Sequence, residues 1–366
     1  MENLNVLGFE DKVSYLLQTL YEKYGYKKYK MSKFEEYDLY LENKNFLKSE
    51  NVIAFNDPTG RLLALKPDVT LSIAKNTDDN EQSRKLFYSE HVYRVSGNMH
   101  EFKEIPQIGL EFIGEVDTFS LAEVLLLAKR SLAAISEKYV LDLSHMGLVI
   151  GLLDETGLPA SVKEEISASI GTKNTSEIRK ICEKNAVSPE LTEKLSVLAS
   201  LYGSALDILP KARELVVNDT TAAAIEELSA LCELLAGVGE SDNINIDFSV
   251  VSDMNYYNGI TFCGYVENLP GSILSGGRYD NLLRKMGKNA GAVGFAVYLD
   301  LLSYLDNSAE LYDVDVLLVY DNSVSAERVF AEVSRLMAEG KRVRTSVTEK
   351  VNIKYKSVIK LESEGK

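Results

Sequence analysis

Apolar positions recur at three- to four-residue spacing between residues 8 and 24. Val13, Leu16, Leu17, Leu20, Tyr21 and Tyr24 fall on one face, which predicts an amphipathic helix that Gly25 can cap. Alternation then takes over: RLLAL (61–65), LFYSEHVYR (86–94) and IPQIGLEFI (105–113) read as strands. Helical spacing returns at 120–138, with Leu121, Val124, Leu125, Ala128, Leu132 and Ile135 on the apolar face and Ser120 with Glu123 as a capping box. From about 153 to 240 the pattern is helical only. Ser161 with Glu164 reads as a second box there, and Ser188 before Pro189 as a cap with proline at the first helical position. Strands resume at 244–251 and 256–265, Gly276-Gly277 opens a helix through RYDNLLRKM, and 292–305 is a further apolar segment. The tail reads strand (VDVLLVY), helix (326–339), strand (RVRTSV), a βαβ-like unit small enough to stand as its own domain. The expected division is a core in two parts, 1–152 and 241–308, interrupted by a helical insertion at 153–240 and followed by a small α/β domain at 309–366.

Composition narrows the class. The chain is 45% hydrophobic and 26% charged, an ordinary globular balance. No stretch approaches the ~18 apolar residues of a membrane span, and the acidic N-terminus lacks the basic-then-apolar order of a secretory signal. Asn174 and Asn218 sit in N-x-S/T sequons that carry no meaning without export. Cys182, Cys232 and Cys263 are far apart and odd in number, so neither a disulfide framework nor a thiolate metal site is expected, and a reduced cytoplasm is the natural compartment. A net charge of −15 argues against strong nucleic-acid binding. Lys23, Lys27, Lys28, Lys30 and Lys33 lie among tyrosines, and residues 341–366 hold eight Lys or Arg against three Glu; both read as solvated faces, the first on a strand, with a nucleic-acid stripe as the alternative.

Familiar catalytic signatures are absent: there is no phosphate-binding glycine loop, no zinc helix at His100 and no nucleophile elbow, so no cofactor or metal is expected. The informative strand is IPQIGLEFIG. Alternation turns Ile108, Leu110 and Phe112 to a core, and Gln107, Gly109 and Glu111 to the opposite face, where a carboxylate, an amide and a gap suggest the floor of a pocket for a small polar ligand. One wet face of an antiparallel sheet would show the same pattern. In KPDVT, Asp68 and Thr70 share a face if extended and could hold an ammonium group, or else cap a helix. In YYNGITF, Tyr256 and Tyr257 offer apolar walls with polar tips.

In this order the pieces resemble the catalytic core of class II aminoacyl-tRNA synthetases of the histidyl type, over roughly residues 8–305. KLFYSEHVYRVSGNMHEFKEIPQIGLEFIG resembles motif 2, NYYNGITFCGY the histidine-specific tyrosine segment, and GGRYDNLLRKM with AVGFAVYLDLL the stretch ending in motif 3. The resemblance implies an α+β fold: a mostly antiparallel sheet flanked by helices, usually in a dimer. It also implies roles. Asp68 and Thr70 match positions that hold the amino acid's ammonium group, and Gln107 one near its backbone end. Glu111 matches the acid that hydrogen-bonds the imidazole, Tyr257 its aromatic neighbour, and Tyr279 a further pocket residue. Arg94 matches the motif 2 arginine that grips the α-phosphate. Ser252 stands in place of one catalytic arginine and Leu301 in place of the motif 3 arginine, while Ser96 replaces an adenine-side Glu and Ser32 the motif 1 proline. Adenylation relies on fixed guanidinium groups to stabilise developing phosphate charge, so little of that chemistry is expected. With Ser252, other cations must hold a histidine carboxylate, and Arg94 and Arg278 are candidates by charge.

Only 64 residues follow Leu302, fewer than the anticodon-binding domain of a histidyl synthetase. A histidine pocket, a degraded ATP side and a short tail together resemble one family, the regulatory subunits of ATP phosphoribosyltransferase, the first enzyme of histidine biosynthesis. That resemblance implies a non-catalytic chain that activates a short-form catalytic subunit, takes L-histidine as effector in feedback inhibition, and sits as a homodimer within a hetero-octamer, away from membranes and nucleic acid. The alternatives are an active, divergent histidyl-tRNA synthetase, disfavoured by Ser252, Leu301 and the tail, and a synthetase-like histidine- or tRNA-binding protein, supported by the basic segments.

Overall fold

The computed structural model describes residues 8–44, 47, 52–77, 83–95, 101–251, 256–305 and 312–362. The chain divides into two compact units, Met1–Leu305 and Asp306–Lys366.

The first unit opens with helix α1 (Phe9–Lys23). Gly25, at φ +80°, ends it as expected: Tyr26 N–H donates to Tyr21 O and Gly25 N–H to Glu22 O, the paired bonds of a Schellman cap. The basic tyrosine-rich segment is not one strand. It breaks into β1 (Lys27–Lys28), β2 (Phe34–Glu36) and helix α2 (Tyr37–Glu42), with Lys27 and Lys28 exposed. Next come β3 (Ala54–Asn56), β4 (Leu62–Leu65), helix α3 (Thr70–Lys75), the long pair β5 (Ser83–Val95) and β6 (Phe102–Gly114), helix α4 (Thr118–Ile135), β7 (Tyr139–His145) and helix α5 (Met146–Glu155). The helical stretch holds α6 (Ala160–Gly171), α7 (Thr175–Lys184), α8 (Pro189–Ser200), α9 (Ala205–Arg213) and α10 (Asp219–Gly237). It is not wholly helical: β8 (Tyr202–Gly203) pairs with β9 (Ile244–Asp247). Then follow β10 (Ile260–Val266), β11 (Leu274–Arg278), helix α11 (Asp280–Lys285), β12 (Gly291–Tyr298) and a 3₁₀ helix (Leu299–Tyr304). Gly276 and Gly277 therefore lie inside a strand, and the helix begins after Tyr279.

Two expected caps differ in residue, and a third is as expected. At α4 the box is Asp117 with Ser120, because Asp117 Oδ1 accepts Ser120 N–H at 2.8 Å and Ser120 Oγ accepts Asp117 N–H at 2.9 Å. Ser161 lies inside α6, whose start after Pro159 has no side-chain cap. Ser188 caps α8 as expected, accepting from Leu191 N–H at 3.3 Å. Both sequon asparagines, Asn174 and Asn218, are N-caps, of α7 and α10.

Strands of this unit form a nine-stranded sheet in the order β1-β5-β6-β12-β11-β10-β7-β9-β8, antiparallel except for β1/β5 and β7/β9. Ile108, Leu110 and Phe112 of β6 turn to the larger core, shared with Val13, Leu17 and Tyr21 of α1 and the apolar face of α4. On the other face, α3, α11 and the small sheet β2-β4-β3 pack against Leu86, Tyr88 and Val92 of β5. The sheet is thus covered by helices behind and only at one end in front, which leaves a recess over β6, β12 and β11.

The second unit is a parallel sheet in the order β14-β13-β15, formed by β13 (Val314–Tyr320), β14 (Val343–Ser346) and β15 (Tyr355–Leu361), with helix α12 (Ala326–Ala338) between the first two. The basic tail therefore contributes a third strand, with Lys356 and Lys360 exposed along it.

Candidate functional site

Asp68, Thr70, Arg94, Gln107, Glu111, Tyr256, Tyr257 and Tyr279 line a single pocket over the middle of the large sheet. Ser252 and Ser96 lie outside the described residues, and Leu301, on the 3₁₀ helix, packs against the main core.

The floor follows from strand register. Glu111, Gly294 and Gly277 stand opposite one another on β6, β12 and β11, and Gly109, Ala296 and Ser275 form the next row. These small residues make the recess. A Cβ on Gly294 would stand 1.7 Å from Glu111 Oε2, and one on Gly277 2.6 Å from the Tyr257 ring. Tyr88, paired with Gly109, fills the gap expected there: a Cβ on Gly109 would meet its hydroxyl at 2.5 Å.

Glu111 is the electrostatic centre. Only 2% exposed, it accepts from Thr70 Oγ1 at 2.8 Å and from the Tyr279 hydroxyl at 2.6 Å. Burial pushes its carboxyl up to about 8, against the pull of those two hydrogen bonds. A carboxyl raised this far by burial ionises readily once a cation or an N–H donor is placed beside it. Gln107, four residues back on the same face and 3% exposed, has an amide nitrogen with no hydrogen-bond partner. A buried unmet donor in a pocket points to an acceptor on a ligand.

Asp68 and Thr70 reach the pocket by a different local structure from strand alternation. The chain turns into α3 at Thr70, and Asp68 Oδ1 accepts Leu71 N–H at 3.0 Å, the capping alternative. The turn brings both side chains to one side because the helix starts between them. Arg94, near the end of β5, donates from Nε to Pro67 O at 2.8 Å and approaches Asp68 Oδ2 at 3.7 Å, which places a cation at the pocket's rim. Tyr256 and Tyr257 form the wall, their rings 4.5 Å apart and inclined by 61°, and Tyr256 lies 5.7 Å from Tyr279.

Sequence reasoning missed Tyr88, Ser275, Phe295, Ala296 and Tyr298, which also line the pocket. It also passed over Lys66, 1% exposed and ion-paired with Glu90. The small residues of GGRYD and AVGFAVY were the available signal, since glycine in a strand marks close approach of another group.

The pocket's polar groups are the complements of an ammonium group, a ring N–H and a carboxylate.

A family model described as histidyl-tRNA synthetase matches residues 9–302. A curated relative from Clostridium kluyveri, an ATP phosphoribosyltransferase regulatory subunit, is 30% identical over 90% of this chain and 87% of its own length. A solved structure described as an ATP phosphoribosyltransferase regulatory subunit/histidyl-tRNA synthetase, from Bacillus halodurans, superposes with a TM-score of 0.80 at 26% identity, covering 98% of this chain and 95% of that one. An ATP phosphoribosyl transferase (HisG:HisZ) complex from Thermotoga maritima gives 0.62 at 19% identity, over 81% of this chain and 98% of that one, a likeness of fold alone. The chain belongs to the histidyl-tRNA synthetase-like family of ATP phosphoribosyltransferase regulatory subunits.

Proposed function

We propose that this chain is a non-catalytic regulatory subunit that activates a short-form ATP phosphoribosyltransferase catalytic subunit and takes part in its inhibition by histidine. The observation that carries the histidine part is Glu111, buried between Thr70 and Tyr279 beside the unmet amide of Gln107. In this reading the imidazole N–H donates to Glu111 and the ring stacks against Tyr257. The ammonium group meets Asp68 and Thr70, while the carboxylate takes the Gln107 amide and the Arg94 guanidinium. Each charged group of histidine thereby meets its complement without a water-exposed edge.

The non-catalytic part rests on Ser252 and Leu301 standing where synthetases carry arginines. The proposed assembly is a hetero-octamer built on homodimers of this chain. For histidine to regulate it, the pocket must bind histidine with different affinity in two assembly states, and the catalytic site must differ between the same two states.

The test is reconstitution. Mixed with the short-form catalytic subunit from the same source, the chain should raise phosphoribosyl-ATP formation, and histidine should lower it. A mixture that shows neither effect overturns the reading.

A further inference from the structure

The tyrosine wall of the pocket is tied to the helical layer by a chain of polar contacts that the histidine reading does not use. It starts at His145, the N-cap of α5. His145 Nδ1 accepts Gly147 N–H at 3.0 Å, so the proton of the neutral ring is on Nε2, which faces Glu227 Oε1 of α10 at 3.0 Å. The other oxygen of Glu227 accepts from Arg278 Nη1 at 3.3 Å. Arg278 Nε donates to Asp280 Oδ2 at 2.8 Å, and Asn258 Nδ2 donates to the same oxygen at 3.2 Å. Asn258 N–H also donates to Arg278 O at 3.1 Å. Asn258 follows Tyr257 directly, and Tyr279, whose hydroxyl holds Glu111, sits between Arg278 and Asp280. The stem of Arg278 lies over Gly259, where a Cβ would approach Arg278 Cδ to 2.9 Å, so side chain and segment cannot move independently.

We propose that Glu227 on α10 is a positioning residue of the pocket: through Arg278, Asp280 and Asn258 it sets the segment that carries Tyr256 and Tyr257, and so couples the ligand's ring site to the helical layer. This rests on the histidine reading. Glu227 touches no ligand; it fixes Arg278, which in turn orients the carboxylate that clamps Asn258. By reciprocity, a ligand that orders the tyrosine wall must also order α10 around Glu227.

The test uses the full chain and L-histidine, with calorimetric affinity and hydrogen exchange as readouts. Glu227→Gln should weaken histidine binding about 5- to 10-fold without changing its stoichiometry. Because both act through one clamp, Glu227→Gln combined with Asn258→Ala should weaken it little more than Asn258→Ala alone. In the unmodified protein, histidine should slow amide exchange in α10 around Glu227, and Glu227→Gln should remove that protection. Normal binding to the unmodified chain, a Glu227→Gln affinity within twofold of it and no ligand-dependent protection in α10 would overturn the coupling. Failure of the unmodified chain to bind histidine would overturn the histidine reading, and this inference with it.

Discussion

Glu111 shows how much one buried carboxyl can decide. Its folded-state value, raised to about 8 by burial, lies above the ordinary carboxylate range of the unfolded chain. Between those values the folded state binds the extra proton. The stability this gives is fully present below about pH 4.5 and is lost as pH rises through 8. Glu111→Gln should therefore leave the melting temperature near its parent value at pH 5 and raise it at pH 9, by the equivalent of a few kcal/mol (roughly 3.5 pH units at 1.36 kcal/mol each sets the ceiling). The same change should weaken histidine binding at least ~10-fold, since a charge-assisted acceptor is lost. Thermal melts at the two pH values and a titration with histidine check both; unchanged affinity would remove Glu111 from the site. Asp142 on β7 obeys the same sign. Burial raises it to about 6, with Asp247 adding to the effect, and its Oδ1 has no hydrogen-bond partner. Asp142→Asn should stabilise the protein by about 2 kcal/mol at pH 7.5 and by nearly nothing at pH 4, read from denaturant midpoints. Glu111 was legible in the sequence because strand alternation sorts side chains by face. Asp142 was not, because its cost comes from burial in the assembled sheet and then from Asp247, which no local pattern announces.

At the scale of elements, the pocket is a product of register. Ile108, Leu110 and Phe112 could be assigned to a core from β6 alone. That Glu111 lies beside Gly294 depends on pairing strands more than 150 residues apart, and that Gly294 lies beside Gly277 on the register of the neighbouring β11/β12 pair, neither of which a single sequence specifies. The same holds for Tyr88 filling the gap over Gly109. Local competition explains the other differences. KPDVT could be extended or turning, and the turn prevails because Asp68 can satisfy an amide at the start of α3. Likewise Asp117 precedes Ser120 and takes the cap of α4, since its carboxylate accepts Ser120 N–H and so starts the helix one turn earlier. Register has a direct test in Gly294→Ala. The new methyl group would meet the Glu111 carboxylate at 1.7 Å and Leu110 O at 2.4 Å; the carboxylate can rotate away but the carbonyl cannot. The expected result is a loss of about 3 kcal/mol of stability together with loss of histidine binding. A folded, fully binding Gly294→Ala variant would show that β12 does not lie against β6 as described.

For the whole molecule, a family resemblance and the physics of the site must agree about chemistry as well as about fold. The mostly antiparallel sheet and its helical cover are those of the synthetase-like family, and that much was legible from four collinear motifs. Binding histidine and activating it are separable demands on this scaffold. Binding needs the buried acceptor, the amide and the tyrosines, all of which line one pocket. Adenylation needs, in addition, fixed positive charge on the phosphates as negative charge develops. Arg94 is present, but it is engaged by Pro67 O and lies near Asp68, on the amino-acid side of the pocket. Leu301, half-buried against the main core, supplies no charge. Losing one preorganised donor costs about 10²-fold in rate, so on the proposed reading, with Ser252 and Leu301 in place of two arginines, about 10⁴-fold is lost. A net charge of −15 also repels the tRNA that a synthetase must load, an effect that strengthens as salt falls. Histidine should therefore bind without supporting exchange of pyrophosphate into ATP, at any rate above roughly 10⁻⁴ of an active synthetase. Measured side by side, saturable histidine binding with no histidine-dependent exchange assigns the pocket to regulation. Exchange at a synthetase-like rate would mean that other cations replace the missing arginines, and would return the chain to catalysis.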